Sequence, residues 1–222
     1  MCGRFTLTVD LEHLIEQFTI DEVTIEEFEV SYNIAPSQQV VAIINNGENN
    51  RLGKLRWGLI PFWAKDKKVG YKMINARAET VAEKTSFKRA LKKQRCIIPA
   101  DAFYEWKQVD GQKQPYRIHQ LDNTIFGFAG LWEKWTDEDG TDIFSCTIIT
   151  TKANEFMAEI HGRMPVILPK KHYKEWLHPA TQDTHDLQEL LQPIESSNLT
   201  AHEVSSEVNN PRNNYQELIN PL

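Results

Sequence analysis

Short apolar runs broken by turn residues dominate this chain, and only a few of them carry a helical period. Residues 5–8 read as a short strand. Asp10 is placed to cap a helix whose Leu11, Leu14, Ile15 and Phe18 fall on one face. Residues 40–44 are compact, apolar and largely β-branched, which predicts a buried strand, and residues 55–59 predict another that stops at Pro61. A helix opens at Ser86 and runs to Arg95, followed by a strand at 96–98 that meets Pro99. Residues 102–109 alternate and end at Asp110-Gly111, a hairpin signal. Further strands are predicted at 116–119, 124–131 and 143–151, and helices near 154–160, 170–177 and 184–191. Many strands without βαβ alternation predict an antiparallel or mixed α+β domain, a closed or half-closed barrel. One domain over 1–222 is expected, with the polar, Asn-rich residues from about 205 to 222 as a loosely ordered tail.

At 222 residues, 41% hydrophobic and 25% charged, the chain has an ordinary globular composition. It can bury roughly 70% of its unfolded surface without help from a disulfide or metal. No apolar run reaches the roughly 18 residues of a membrane span, and Asp10, Glu12 and Glu16 break up the start where a signal peptide would be apolar. A cytoplasmic monomer without membrane contact is expected. Cys2, Cys96 and Cys146 form no CxxC pair, and the seven histidines form no HExxH, so neither a metal site nor a cofactor is expected and a zinc hydrolase is disfavoured. Charge is unevenly spread. The net charge is -6, yet residues 51–100 hold fourteen Lys or Arg against three acids, a local +11. Polyanion binding follows the local patch rather than the total. The same lysines also suit ordinary solvated faces, as over 86–95.

Candidate chemistry starts at Met1-Cys2-Gly3-Arg4. Initiator methionine is commonly removed before a small side chain, which would leave Cys2 as a 1,2-aminothiol. An α-amine titrates near about 7.8 and lysine near about 10.4, so at pH 7 about one such amine in seven is neutral, against about one lysine in 2,500. The amine can form an imine with an aldehyde, and the thiol can close onto it as a five-membered thiazolidine. Glu105 lies in the aromatic segment Phe103-Tyr104-Glu105-Trp106, where desolvation would raise its pKa toward the range useful for proton transfer. On an alternating strand it could equally face solvent. His161, before Gly162-Arg163-Met164-Pro165, is suited either to moving protons near neutral pH or to holding a loop. Asn75-Ala76-Arg77-Ala78-Glu79 follows Trp57 and Trp63 inside the basic stretch. Aromatic faces stack on bases and arginine pairs with phosphate, whereas the bland reading makes both tryptophans core and pairs Arg77 with Glu79.

Taken in order, these segments resemble the SOS response-associated peptidase family, also called abasic site processing proteins. The resemblance rests on Met1-Cys2-Gly3-Arg4, Tyr32-Asn33-Ile34-Ala35-Pro36, Trp57-Gly58-Leu59-Ile60-Pro61 with Trp63, and Asn75-Ala76-Arg77-Ala78-Glu79-Thr80. It continues through Cys96-Ile97-Ile98-Pro99-Ala100, Phe103-Tyr104-Glu105-Trp106, Ala129-Gly130-Leu131-Trp132-Glu133, and His161 with Arg163-Met164-Pro165. The resemblance implies a twisted, mostly antiparallel β-barrel with flanking helices. It also implies a covalent link between Cys2 and the ring-opened abasic sugar in single-stranded DNA, with Asn75, Glu105 and His161 around it. Arg4, Asn33, Trp57, Trp63, Arg77 and Arg163 become candidates for holding the DNA backbone or stacking on bases. Two positions depart from the family pattern: Gly162 stands where an Asp usually follows the histidine, and Ala102 replaces a common Gly. The first removes a hydrogen-bonding neighbour of His161. Two rival functions are a cysteine peptidase using Cys2, His161 and Glu105, and a non-catalytic module that binds single-stranded DNA reversibly.

Overall fold

The computed structural model describes residues 2–222. Its strands are β1 (Phe5–Leu7), β2 (Glu22–Val23), β3 (Ser31–Ile34), β4 (Gln39–Asn45), β5 (Asn50–Trp57), β6 (Asn75–Arg77) and β7 (Arg95–Ala100). They continue as β8 (Ala102–Val109), β9 (Gln112–Gln120), β10 (Phe126–Thr136), β11 (Asp142–Lys152), β12 (Arg163–Pro165), β13 (Ile167–Leu168) and β14 (Leu199–Glu203). The helices are α1 (Leu11–Phe18), α2 (Lys88–Lys93), α3 (Glu155–Ala158), α4 (Tyr173–Leu177) and α5 (Thr184–Glu189). Among the described residues no helix is long and apolar enough to cross a membrane.

The expected α+β architecture is present. Strands β5, β4, β7, β10 and β11 pair in turn, and a parallel pairing of β11 with β5 closes the ring. A second sheet, ordered β14-β9-β8-β1-β3, carries the start of the chain. Local signals explain several elements. Asp10 accepts a hydrogen bond from the His13 amide at the start of α1, and Leu14 and Phe18 are buried on its inner face. Asp110 and Gly111 take φ values of 48° and 79°, as a two-residue type I′ hairpin requires, and set Val109 opposite Gln112.

Aromatic packing ties the two sheets together. Phe5 sits edge-on to Trp57 at 5.2 Å between ring centres and to Phe128 at 5.7 Å. Such pairs add to simple area burial. Phe5 therefore fixes β1, and with it the residues just before it, against the barrel wall.

The C-terminal stretch is not a loose tail. Val208 and Leu218 are fully buried against Tyr104. The Asn33 amide donates to the carbonyls of Val208, Asn210 and Asn213, at 3.3, 3.1 and 2.7 Å. Its Oδ1 accepts from Arg4 at 2.7 Å, and Trp106 Nε1 donates to Asn209 Oδ1 at 2.7 Å. A polar composition that suggests disorder instead supplies the hydrogen bonds of a clamp. Asn33→Ala is expected to lower stability by about 1–3 kcal/mol, because buried carbonyls and Arg4 lose partners. Urea unfolding tests this, and an unchanged midpoint would rule the clamp out.

Candidate functional site

Beyond Phe5 the chain runs beside β8. Phe5 pairs with Phe103, and the Tyr104 amide donates to the Arg4 carbonyl at 2.9 Å. This register carries Cys2 alongside the segment containing Glu105. Cys2 is fully buried. Burial pushes its thiol pKa well up, and the charge of Glu105 pushes it in the same direction. Glu105 is buried as well, at 2% exposure. Its carboxyl is raised above the ordinary range by desolvation, with His161 among the charges that pull the other way. Glu105 thus lies within electrostatic reach of both Cys2 and His161.

His161 is held by backbone. Its Nδ1 lies 3.0 Å from the Arg163 amide nitrogen and 3.1 Å from the Arg163 carbonyl oxygen, which fix the orientation of the ring. Gly162 leaves open space where a side chain would begin. The Arg163 amide does the orienting that an Asp at position 162 could otherwise share.

Asn75 arrives by a different route. Strand β11 pairs with β5 at Ser145 and Cys146 and then, on the same edge, with β6 from Ile148 to Thr150. Residues 58–74 are an excursion that leaves this edge and returns to it. Trp57 Nε1 and Asn75 Nδ2 both donate to the Ile74 carbonyl at 2.9 Å, which fixes the point of return. Asn75 Oδ1 is buried with no hydrogen-bond donor among the described residues. A buried acceptor in that condition is costly unless a donor arrives.

The six expected DNA contacts divide. Trp63 is 50% exposed and Arg77 is exposed. Trp57 is at 0% exposure against Phe5, so base stacking is closed to it and the core reading holds. Arg163, not Arg77, pairs with Glu79: its Nη1 and Nη2 reach the two carboxylate oxygens at 2.5 and 3.1 Å, and the guanidinium holds that carboxyl below its usual range. Arg163 Nη2 also donates to the Thr150 carbonyl at 2.7 Å. Asn33 and Arg4 are engaged in the C-terminal clamp. Sequence reasoning passed over Phe62 and Tyr71, exposed rings in the same lysine-rich excursion. The available signal was two more aromatics in a stretch with no core periodicity.

The model of the SOS response associated peptidase family matches residues 1–211. The chain belongs to this family. Its curated relatives include the abasic site processing protein YoqW of Bacillus subtilis, 58% identical over 221 residues and 99% of both chains. Another is the abasic site processing protein HMCES of Xenopus tropicalis, 34% identical over 86% of this chain and 66% of that one. A crystal structure of a Bacteroides thetaiotaomicron protein superposes over the whole of both chains with a TM-score of 0.90 at 24% identity, which speaks for the fold alone. A Bordetella bronchiseptica protein superposes at 0.78 with 29% identity, over 92% of this chain and 100% of that one. Of the two positions that depart from the expected pattern, Ala102 is buried in the pairing of β8 with β1, and Gly162 adjoins His161.

Proposed function

We propose that this chain captures abasic sites in single-stranded DNA as a thiazolidine on Cys2, once Met1 has been removed, and so shields the lesion during the response to DNA damage. The observation that carries the reading is Cys2 beside the raised carboxyl of Glu105, with His161 in range of the same carboxyl. Relatives named abasic site processing proteins support the choice of substrate.

The abasic sugar is mostly a closed hemiacetal. His161 protonates the ring oxygen as its bond to C1′ breaks and takes back the proton of the C1′ hydroxyl, which becomes the aldehyde oxygen. Glu105 takes a proton from the Cys2 ammonium, and Asn75 Oδ1 accepts an N–H of the resulting amine and aims its lone pair. The nitrogen bonds to C1′ and the carbinolamine loses its hydroxyl as water, protonated by His161. The sulfur then bonds to C1′ of the imine, and the S–H proton ends on nitrogen. Protein and DNA join with the loss of one water.

A thiol whose pKa is raised is a poor first nucleophile, so the amine acts first. The same shift weighs against a cysteine peptidase, whose nucleophile needs a lowered pKa. Any hydrolysis is assigned to Met1 alone, and strand cleavage by β-elimination is a side reaction of the imine. A single strand suits the chemistry because an unpaired site needs no duplex opening. The setting is assigned to the cytoplasm.

Intact mass, recorded with and without an abasic oligonucleotide, tests this. The expected protein lacks Met1, and the expected adduct is the sum of both partners less one water. A protein that keeps Met1 and still forms the adduct defeats the proposal, as does an absence of adduct.

A further inference from the structure

A nucleophile and its proton acceptor work together only while the backbone carrying each stays in place. In this site the Arg4 amide hydrogen-bonds the Cys2 sulfur, and the Trp106 amide hydrogen-bonds the Glu105 carboxyl. The side chains of the same two residues both lead to the C-terminal stretch. Arg4 Nη1 donates to the Val208 carbonyl at 2.5 Å, and its Nη2 to the Asn209 carbonyl at 3.5 Å. Trp106 Nε1 donates to Asn209 Oδ1 at 2.7 Å. The Arg4 guanidinium also lies 5.9 Å from the centre of the Trp106 ring. Asn209 therefore grips Arg4 with its carbonyl and Trp106 with its side chain.

The stretch that presents Asn209 is built to hold still. Val208 is fully buried and packs with Tyr104, the residue on the other side of Glu105. Asn213 Nδ2 donates to the Glu207 carbonyl at 2.8 Å, and the Tyr215 hydroxyl to Glu207 Oε2 at 2.7 Å. Asn214 Oδ1 accepts from the Tyr32 amide at 2.7 Å, which ties the stretch to β3 as well. Asn209 itself is exposed. Its side chain covers no core, so losing it costs the fold little. What its bond to Trp106 adds is alignment between the two strands that carry the reacting groups.

We propose that Asn209 is a positioning residue for the capture reaction: by tying Arg4 to Trp106 it keeps Cys2 aligned with the Glu105 carboxyl. The inference rests on the Cys2 reading above and adds to it a role in rate for the C-terminal stretch. Asn209 acts only through the two residues it holds.

The test is the single-turnover rate of crosslinking to an abasic oligonucleotide, measured against DNA concentration, with the melting temperature of each protein recorded. The proteins are full-length wild type, Asn209→Ala, Asn209→Asp, Trp106→Phe and the double variant Asn209→Ala/Trp106→Phe. A displacement of about 1 Å at a reacting group can cost about 100-fold, so Asn209→Ala and Trp106→Phe should each lower the maximal rate by about 10- to 100-fold. The DNA concentration giving half the maximal rate should not change. Asn209→Asp keeps the acceptor at Oδ1 and should run close to wild type. The double variant should be no slower than the slower single one, because both changes break the same bond. The role is overturned if Asn209→Ala reacts at the wild-type rate, or if Asn209→Asp is as slow as Asn209→Ala. It is overturned equally if the two single effects multiply, or if only the half-saturating concentration rises, which would make Asn209 a DNA contact. Should Trp106→Phe not fold, the contrast between Asn209→Ala and Asn209→Asp decides. A wild type that forms no adduct overturns the capture chemistry and the positioning role with it. A wild type that crosslinks no faster than Asn209→Ala overturns the positioning role alone.

Discussion

Cys2→Ala is expected to abolish the DNA adduct that survives denaturation while leaving the chain able to cleave the strand at an abasic site. Alanine is as acceptable as cysteine behind an initiator methionine, so the variant still presents a free α-amine. That amine can form the imine, because Glu105, His161 and Asn75 are untouched. What it lacks is the sulfur that removes the imine from equilibrium. The imine then has two exits, hydrolysis back to the aldehyde or β-elimination of the 3′ phosphate, and neither leaves a durable bond. Denaturing electrophoresis of an end-labelled abasic oligonucleotide reads both results at once, as lost slow-migrating adduct and as shortened strand. The small cavity left by the sulfur costs on the order of 1 kcal/mol, too little to unfold a domain of this size. A stable adduct at the wild-type level would sink the role given to the thiol.

Glu105→Gln should slow crosslinking by about 10²- to 10⁴-fold, the usual range for a positioned acid–base group, while making the unliganded protein more stable at neutral pH. Both effects come from burial, which raises the carboxyl pKa by disfavouring its charged form. A raised pKa in the fold means that the protonated carboxyl is the form the fold favours. Its contribution to stability is complete below the unfolded-state pKa and is lost as pH rises through the folded-state value. Glutamine removes that loss, so the melting temperatures of variant and wild type should differ at pH 7 and converge on acidification. The wild-type crosslinking rate should fall as pH drops through the same raised value, because the proton acceptor is then filled. The variant should lose that limb of the profile. Equal rates for the two proteins across the pH range would remove Glu105 from the chemistry.

A residue that costs stability and contributes rate is hard to recognise locally. On an alternating strand Glu105 reads as a solvent-facing charge. It is buried, and the pairing of β1 with β8, between positions nearly a hundred residues apart, brings Cys2 alongside it. The two tryptophans of the Trp57–Trp63 segment make the same point. They share one motif, yet one is sealed beneath Phe5 and the other stands half in water. Arg163 pairing with Glu79 was equally out of local view, since the ladders on either side of Thr150 bring them together.

By itself the sequence determined the local pieces: the capped first helix, the Asp110-Gly111 hairpin, the buried strand at β4, the basic middle stretch, and the ordered motifs that mark the family. Hydrophobic periodicity and turn chemistry act over a few residues, and a few residues are enough to read them. Only the tertiary structure decided the closure of the ring through β5 and β11, the burial of Cys2 against Glu105, the clamp on the C-terminal stretch, and the separation of core rings from exposed ones. Each depends on which distant segment covers a given face, and coverage sets both dielectric and access. Residues of one type therefore took opposite roles according to what lay over them.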